Sequence, residues 1–173
     1  MAKKKSVNDS KVIMTEMVLP NDTNTLDNLM GGRLMHWMDI CAAIAAQKHS
    51  NRTVVTASVD NISFSKAIPL GSVVTFESHV TRAFNSSMEI YIKAKAEKIP
   101  FGKKLEISNQ AFFTFVAVDQ GGHPIEIPEV IPETETEKEL HAGALRRRQL
   151  RLVLAKRMKV SDAKELKEYL DNA

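Results

Sequence analysis

Cysteine is nearly missing from this sequence: Cys41 is the only one in 173 residues, so no intramolecular disulfide can brace the fold and a reducing compartment is expected. Apolar runs of the roughly 18 residues that cross a bilayer are missing too. The basic start MAKKKSVNDSK leads into no signal-like apolar core, so neither export nor membrane insertion is indicated, and a cytoplasmic location is expected. His49, His79, His123 and His141 are scattered outside any HxxxH or CxxC pattern, which argues against a metal site. No serine sits in a GxSxG elbow, and no P-loop or GxGxxG occurs.

What is present belongs to an ordinary globular protein: 43% hydrophobic and 26% charged residues in a chain long enough for one domain with a modest extension. A net charge of +3 is too small to imply a nucleic-acid partner, but it is unevenly spread. Acids dominate from Glu126 to Glu139, whereas Arg146, Arg147, Arg148, Arg151, Lys156, Arg157 and Lys159 follow with no acid among them. Aromatics are absent from that basic run, which removes the stacking half of a single-strand binding signature. A solvated helix face is the plain reading; an anionic ligand or a neighbouring subunit is the alternative.

KVIMTEMVLP reads as a first strand ending at Pro20, and the Asn-, Asp- and Thr-rich segment to Asn28 as a loop. After Gly31 and Gly32 an apolar helix is expected over about Arg33–His49. TVVTASVDNISF is a β-branched strand, and KAIPLGS a turn. Period-two alternation then gives a hairpin: Val74, Phe76 and Val80 share one side, and Met88, Ile90, Ile92, Ala94 and Ala96 stand opposite Glu89, Tyr91, Lys93, Lys95 and Glu97. Leu105–Asp119 is apolar on both faces from Ala111 to Val118, as an interior strand would be. A Pro- and Glu-rich linker follows, then helix from Glu133 to about Lys159 and a last short helix with Ser161 as a candidate cap. A helix so apolar needs cover almost all round, and one antiparallel sheet curled about it would supply that.

One acid, Asp39, interrupts the apolar helix. At 100° per residue it borders a polar stripe with Arg33, His36 and Gln47, where it either pairs with His36 or serves as a base that activates water. Asn24 and Asn28 precede a diglycine that opens a helix, where unpaired N–H groups and the macrodipole favour a negative oxygen, although on spacing alone capping and turn formation are the plainer explanation of the asparagines. Cys41, in apolar surroundings, reads as packing rather than as a nucleophile.

These features occur together in LPNDTNTLDNLMGGRLMHWMDICAAIAAQKHS, VVTASVDNISFSKAIPLGSVVTFESHVTRAFNSSMEIYIKAKAE and FFTFVAVDQGGHPIEIP. The combination of the Asn loop, the GG pair, an M-D at the seventh residue after the second Gly, VVT, F-x-x-x-I-x-x-G and S-M-E-I-Y resembles the hotdog-fold acyl-CoA thioesterases, in their YciA-like and brain-type acyl-CoA hydrolase group. The likeness covers about Lys11 to Pro128. It implies an α+β hotdog fold, a curved antiparallel sheet around a long central helix, over 1–132, with a charged helical C-terminal extension over 133–173.

The resemblance implies acyl-CoA as substrate, with CoA a part of that substrate and no separate cofactor or metal, and a dimer with a shared site that assembles into hexamers. It does not imply a nucleic-acid or membrane partner. Asp39 would be the general base, or a nucleophile forming an anhydride; Asn24, from the opposite protomer, would position water or the thioester carbonyl. Gly32 would hold the oxyanion through its N–H, and Thr56 would support by hydrogen bonding. Lys66, Arg82, Ser86, Ser87 and Lys93 lie where related proteins hold the nucleotide of CoA. FNSS replaces the glycine and basic residue that many relatives carry there. An enoyl-CoA hydratase on the same fold, and a non-catalytic acyl-CoA-binding regulatory module, are the alternatives.

Overall fold

A computed structural model of the chain describes residues 4–60, 62–64, 66–98 and 103–172. Five strands form one antiparallel sheet in the order β2-β4-β5-β6-β3: β2 is Val12–Met17, β3 Thr53–Asp60, β4 Val73–Ala83, β5 Ser87–Lys98 and β6 Lys103–Val118. The helix α1, Gly31–Ser50, lies across the inner face. It begins two residues earlier than its composition suggests, because Met30 is extended and both glycines enter the first turn. Left-handed Asn51 (φ 53°) ends it, its N–H returning to the Gln47 carbonyl.

The alternation in the hairpin has a direct physical result. Val74, Phe76 and Val80 of β4, five alternate residues of β5 from Met88 to Ala96, and Ala111, Phe113, Phe115 and Ala117 of β6 all point at α1 and are buried. From α1, Leu34, Trp37, Met38, Cys41, Ala42, Ala45 and Ala46 fill the other side, the alanines letting the helix lie close to the sheet. Cys41 is part of this packing, its Sγ 3.2 Å from the Ser78 hydroxyl, with burial pushing its thiol pKa up. Asn61, at the end of the strand expected from TVVTASVDNISF, lies outside the described residues.

Three expectations are corrected. The basic start and the Pro- and Glu-rich linker contribute two short strands, β1 (Lys4–Ser6) and β7 (Glu129–Ile131), which pair in parallel. Fully buried His49, at the end of α1, meets the linker just before β7, its Nε2 2.8 Å from the Pro128 carbonyl oxygen. Ser161 is no helix cap: it sits in a 3-10 turn, and the last helix, α3 (Lys164–Asp171), starts from Ala163.

The third correction concerns the outer face of the sheet. Glu89 belongs to the polar set of its strand, yet its side chain is only 1% exposed, because the helix α2 (Glu135–Leu154) covers it. Arg147 of α2 donates Nε and Nη2 to the two Glu89 oxygens at 3.0 and 2.7 Å, and the Thr81 hydroxyl donates to the same carboxylate at 2.6 Å. The Arg147 guanidinium also lies 3.9 Å over the Phe112 ring. Arg151 pairs with Asp60 at 2.6 Å, Arg148 donates to the Ser87 hydroxyl at 3.1 Å, and Arg146 stacks on Tyr169 of α3. The four arginines of α2 are therefore not a solvated face: their guanidiniums tie the C-terminal helices to the sheet and to one another, whereas Lys156, Arg157 and Lys159, beyond α2, are exposed as expected. Thr134 caps α2, accepting from the Glu137 N–H, while the Glu137 carboxylate accepts from the Thr134 N–H.

Removing the partner of a buried carboxylate leaves an uncompensated charge in a dry site. Arg147→Ala should lower unfolding stability by about 3–5 kcal/mol in denaturant titrations, and adding Glu89→Leu should recover much of it. His49 gives an acid-side prediction. Burial, with a smaller push from the Lys5 charge, lowers its pKa below 6.5, outweighing the Pro128 carbonyl and Asp9. The unfolded chain then takes up that proton at a higher pH than the folded one. His49 thus leaves stability intact above pH 6.5 and reduces it as pH falls through the folded pKa, a slope that His49→Gln should flatten.

Candidate active site

The loop from Leu19 to Met30 is clasped at both ends. Asp22, almost fully buried, accepts from the Leu19 N–H with one carboxylate oxygen and pairs with Arg33 Nε at 2.7 Å through the other. On the far side, Leu29 N–H donates to the Ile68 carbonyl and Leu70 N–H to that of Asp27, each at 2.8 Å. Asn24 occupies the exposed tip and folds it: its Oδ1 accepts from the N–H groups of Leu26 (2.9 Å) and Asn28 (3.2 Å). The turn-forming role read for this residue is realised, and its side-chain NH2 is left without an acceptor among the described residues.

Gly31 and Gly32 are the first two helical residues, so no helical carbonyl reaches their N–H groups. A Cβ on Gly31 would touch the Phe64 ring at 3.5 Å, whereas nothing lies within 4 Å of the corresponding point on Gly32. In front of this helix start is a cavity of about 280 Å³, lined by Asn24, Leu26, Leu34, Phe64, Lys66 and Asn109 among others. It has an apolar body, a few polar groups and the positive end of a helix macrodipole, a combination suited to a carbonyl oxygen that becomes negative.

Asp39 does not line that cavity. Its Oδ1 accepts a hydrogen bond from Thr56 on β3 at 2.8 Å, and no pair with His36 forms. Thr56 stands opposite the inward Phe115 of β6, which turns its side chain to α1, and a bulge between Thr56 and Ser58 puts Ser58 opposite Thr114 on the other face. Around this pair the surface is apolar and open: Ile40 is 38%, Ile44 40% and Val55 49% exposed. β3 is also an edge strand, with β6 as its one neighbour in the sheet among the described residues. At about 1.5 Å per residue, the seven steps from Gly32 to Asp39 set their backbone positions some 10 Å apart along the helix.

The five candidate nucleotide contacts fall in three places. Arg82, Ser86 and Ser87 gather at the β4–β5 turn, where Arg82 and Arg148 stand 5.6 and 4.3 Å from the Phe84 ring. Lys66 lines the cavity at the helix start. Lys93 lies six residues along β5 from Ser87, roughly 20 Å away, in a separate outer cavity with Glu77, His79, Tyr91 and Glu137. Asp22, Phe64 and Asn109 are not marked as site residues by the sequence pattern, and Arg148 enters it only as part of the basic run. Asn109 had a signal: it is the polar residue in the inward row Asn109, Ala111, Phe113, Phe115, Ala117. Among the described residues no group of three His, Cys, Asp or Glu side chains is placed to hold a metal ion, and no helix is long and apolar enough to cross a membrane.

Comparison with known proteins bears directly on this geometry. The family model of the thioesterase superfamily matches residues 26–102. The uncharacterized acyl-CoA thioester hydrolase YkhA of Bacillus subtilis is 43% identical over 139 residues, 80% of each chain. The chain belongs to the hotdog-fold acyl-CoA thioesterase family. A crystal structure of an apo-hexameric acyl-CoA thioesterase matches the fold with a TM-score of 0.84 at 37% identity, covering 88% of this chain and 97% of the other. The acyl-CoA hydrolase of Staphylococcus aureus, solved in complex with butyryl-CoA, CoA and CoA disulfide, matches at 0.79 and 34% identity over 97% and 99%. That hydrolase has also been solved with alanine replacing an asparagine, an aspartate 15 residues later and a threonine 17 residues beyond that.

Proposed function

We propose that this thioesterase hydrolyses acyl-CoA to a carboxylic acid and CoA in sites built from two copies of the chain, one giving Asn24 and the start of α1, the other Asp39 and Thr56. The separation of these groups carries the reading. A base must lie within one water of the carbonyl it attacks, and Asp39 does not line the cavity where Asn24 and the helix start would receive that carbonyl. A second copy running antiparallel along β3 brings its own α1 alongside and covers Ile40, Ile44 and Val55. The spacing of Asn24, Asp39 and Thr56 is 15 and 17 residues, equal to that of the three residues replaced in the Staphylococcus aureus hydrolase. Three such dimers give the hexameric assembly seen in a structural relative.

In this arrangement the Thr56 hydroxyl fixes the direction of the Asp39 carboxylate, which takes a proton from water as the oxygen attacks the thioester carbon. The developing oxyanion is held by the Gly32 N–H, and the Asn24 amide orients the water or the carbonyl. Collapse of the tetrahedral intermediate breaks the C–S bond, and the CoA sulfur leaves with the proton. A thioester is already activated, so one base and one oxyanion site suffice without a triad. Arg82, Ser86 and Ser87, with Phe84 and Arg148 beside them, receive the nucleotide end, and Lys66 faces the thioester end.

Thiol release from a panel of acyl-CoAs tests this. Asp39→Ala should lower kcat by about 10²–10⁴-fold, with Asn24→Ala also strongly impaired. Thr56→Val should cost about 10-fold, since it removes one hydrogen bond and leaves the base in place. Undiminished turnover in folded Asp39→Ala would eliminate Asp39 as the base.

A further inference from the structure

The cavity at the start of α1 has a polar group that the reaction above does not use. Asn109 sits on β6, opposite Ala94 of β5, and points inward in a row that is otherwise Ala111, Phe113, Phe115 and Ala117. It is 4% exposed, its Oδ1 is out of contact with solvent and without a partner, and neither end of its carboxamide makes a hydrogen bond among the described residues. Yet it lines the same cavity as Asn24 and Gly31. An unpaired amide in an apolar wall is costly, and a leucine would fit the row better, unless a ligand completes it.

We propose that Asn109 selects acyl groups carrying a hydroxyl, so that the preferred substrates are hydroxyacyl-CoA thioesters. This rests on the acyl-CoA hydrolase reading above. With the thioester carbonyl at the helix start, the first carbons of the acyl group run through the cavity toward β6. Leu29, Leu34, Phe64 and Ile68 give the cavity its apolar lining, and besides Asn109 its polar side chains are those of Asn24, Asn28 and Lys66. A hydroxyl can donate to the carboxamide oxygen and accept from its NH2, satisfying both ends at once. A plain chain leaves the amide unpaired or displaces a water that had paired it, and sites built to bond a hydroxyl discriminate strongly against analogues lacking one.

The test is kcat/KM for matched pairs of acyl-CoAs, butanoyl with 3-hydroxybutanoyl and hexanoyl with 3-hydroxyhexanoyl, on the wild type and on Asn109→Leu. The wild type should favour the hydroxylated member by at least about 10-fold, and Asn109→Leu should bring the ratio close to one while raising its thermal midpoint. A wild-type ratio near one, with both members turned over, overturns this inference and leaves the hydrolase reading standing; failure to hydrolyse either member removes both. If Asn109→Leu instead raises KM equally for all substrates with the ratio kept, the amide contacts the CoA portion and the proposal is wrong. The wild-type ratio decides even if the variant does not fold.

Discussion

The hydrogen bond from Thr56 to Asp39 fixes more of this molecule's behaviour than any other contact. It anchors an acid on an otherwise apolar helix to the edge strand of the sheet, two turns from the helix start where a carbonyl oxygen would be received. Helix rise sets the two backbone positions about 10 Å apart, and Asp39 does not line the cavity at the helix start. Under the proposed reaction, one chain holds two half-sites, each incomplete. The bare edge of β3 and the exposed Ile40 and Ile44 beside Asp39 lie where a second copy would join them.

The rest of the fold serves to hold those halves still. The inner row of β4, β5 and β6 fixes α1, and the Asp22–Arg33 pair fixes the loop that presents Asn24. On the outer face, Glu89 is the pivot: a fully buried carboxylate bonded by Thr81 and a bidentate Arg147, which locks α2 over the sheet. Placing charge there makes the C-terminal segment depend on one pair, since either partner alone would be stranded in a dry site. The same helix delivers Arg148 to Ser87 and Phe84 at the hairpin turn, so the extension reaches the region assigned to the nucleotide.

Much of the architecture could be read from periodicity. The hairpin, the interior strand and the long helix follow from apolar spacing alone, because a side chain's facing is set by its position in a period of 2 or 3.6. Charge was harder to read. Glu89 looked solvent-facing because alternation reports which side of a strand a residue takes, not whether another element covers that side. The arginine run looked solvated for the same reason. Asp39 was visible as an anomaly, but residue pattern did not show its partner: Thr56 is 17 residues away on another element, and only the family resemblance pointed to it. Asn109 was passed over because its strand was judged on the apolar stretch that follows it.

The claim that one site takes residues from two copies is tested most directly by mixing subunits. Asp39→Ala and Asn24→Ala proteins, each inactive by itself, are denatured together and refolded, and thiol release from acyl-CoA is measured. Random pairing puts half the dimers in mixed form, each with one intact site of two, so activity should return to about one quarter of wild type. If the mixture stays as inactive as its components while refolded wild type regains activity, the two residues act within one chain and the account is contradicted.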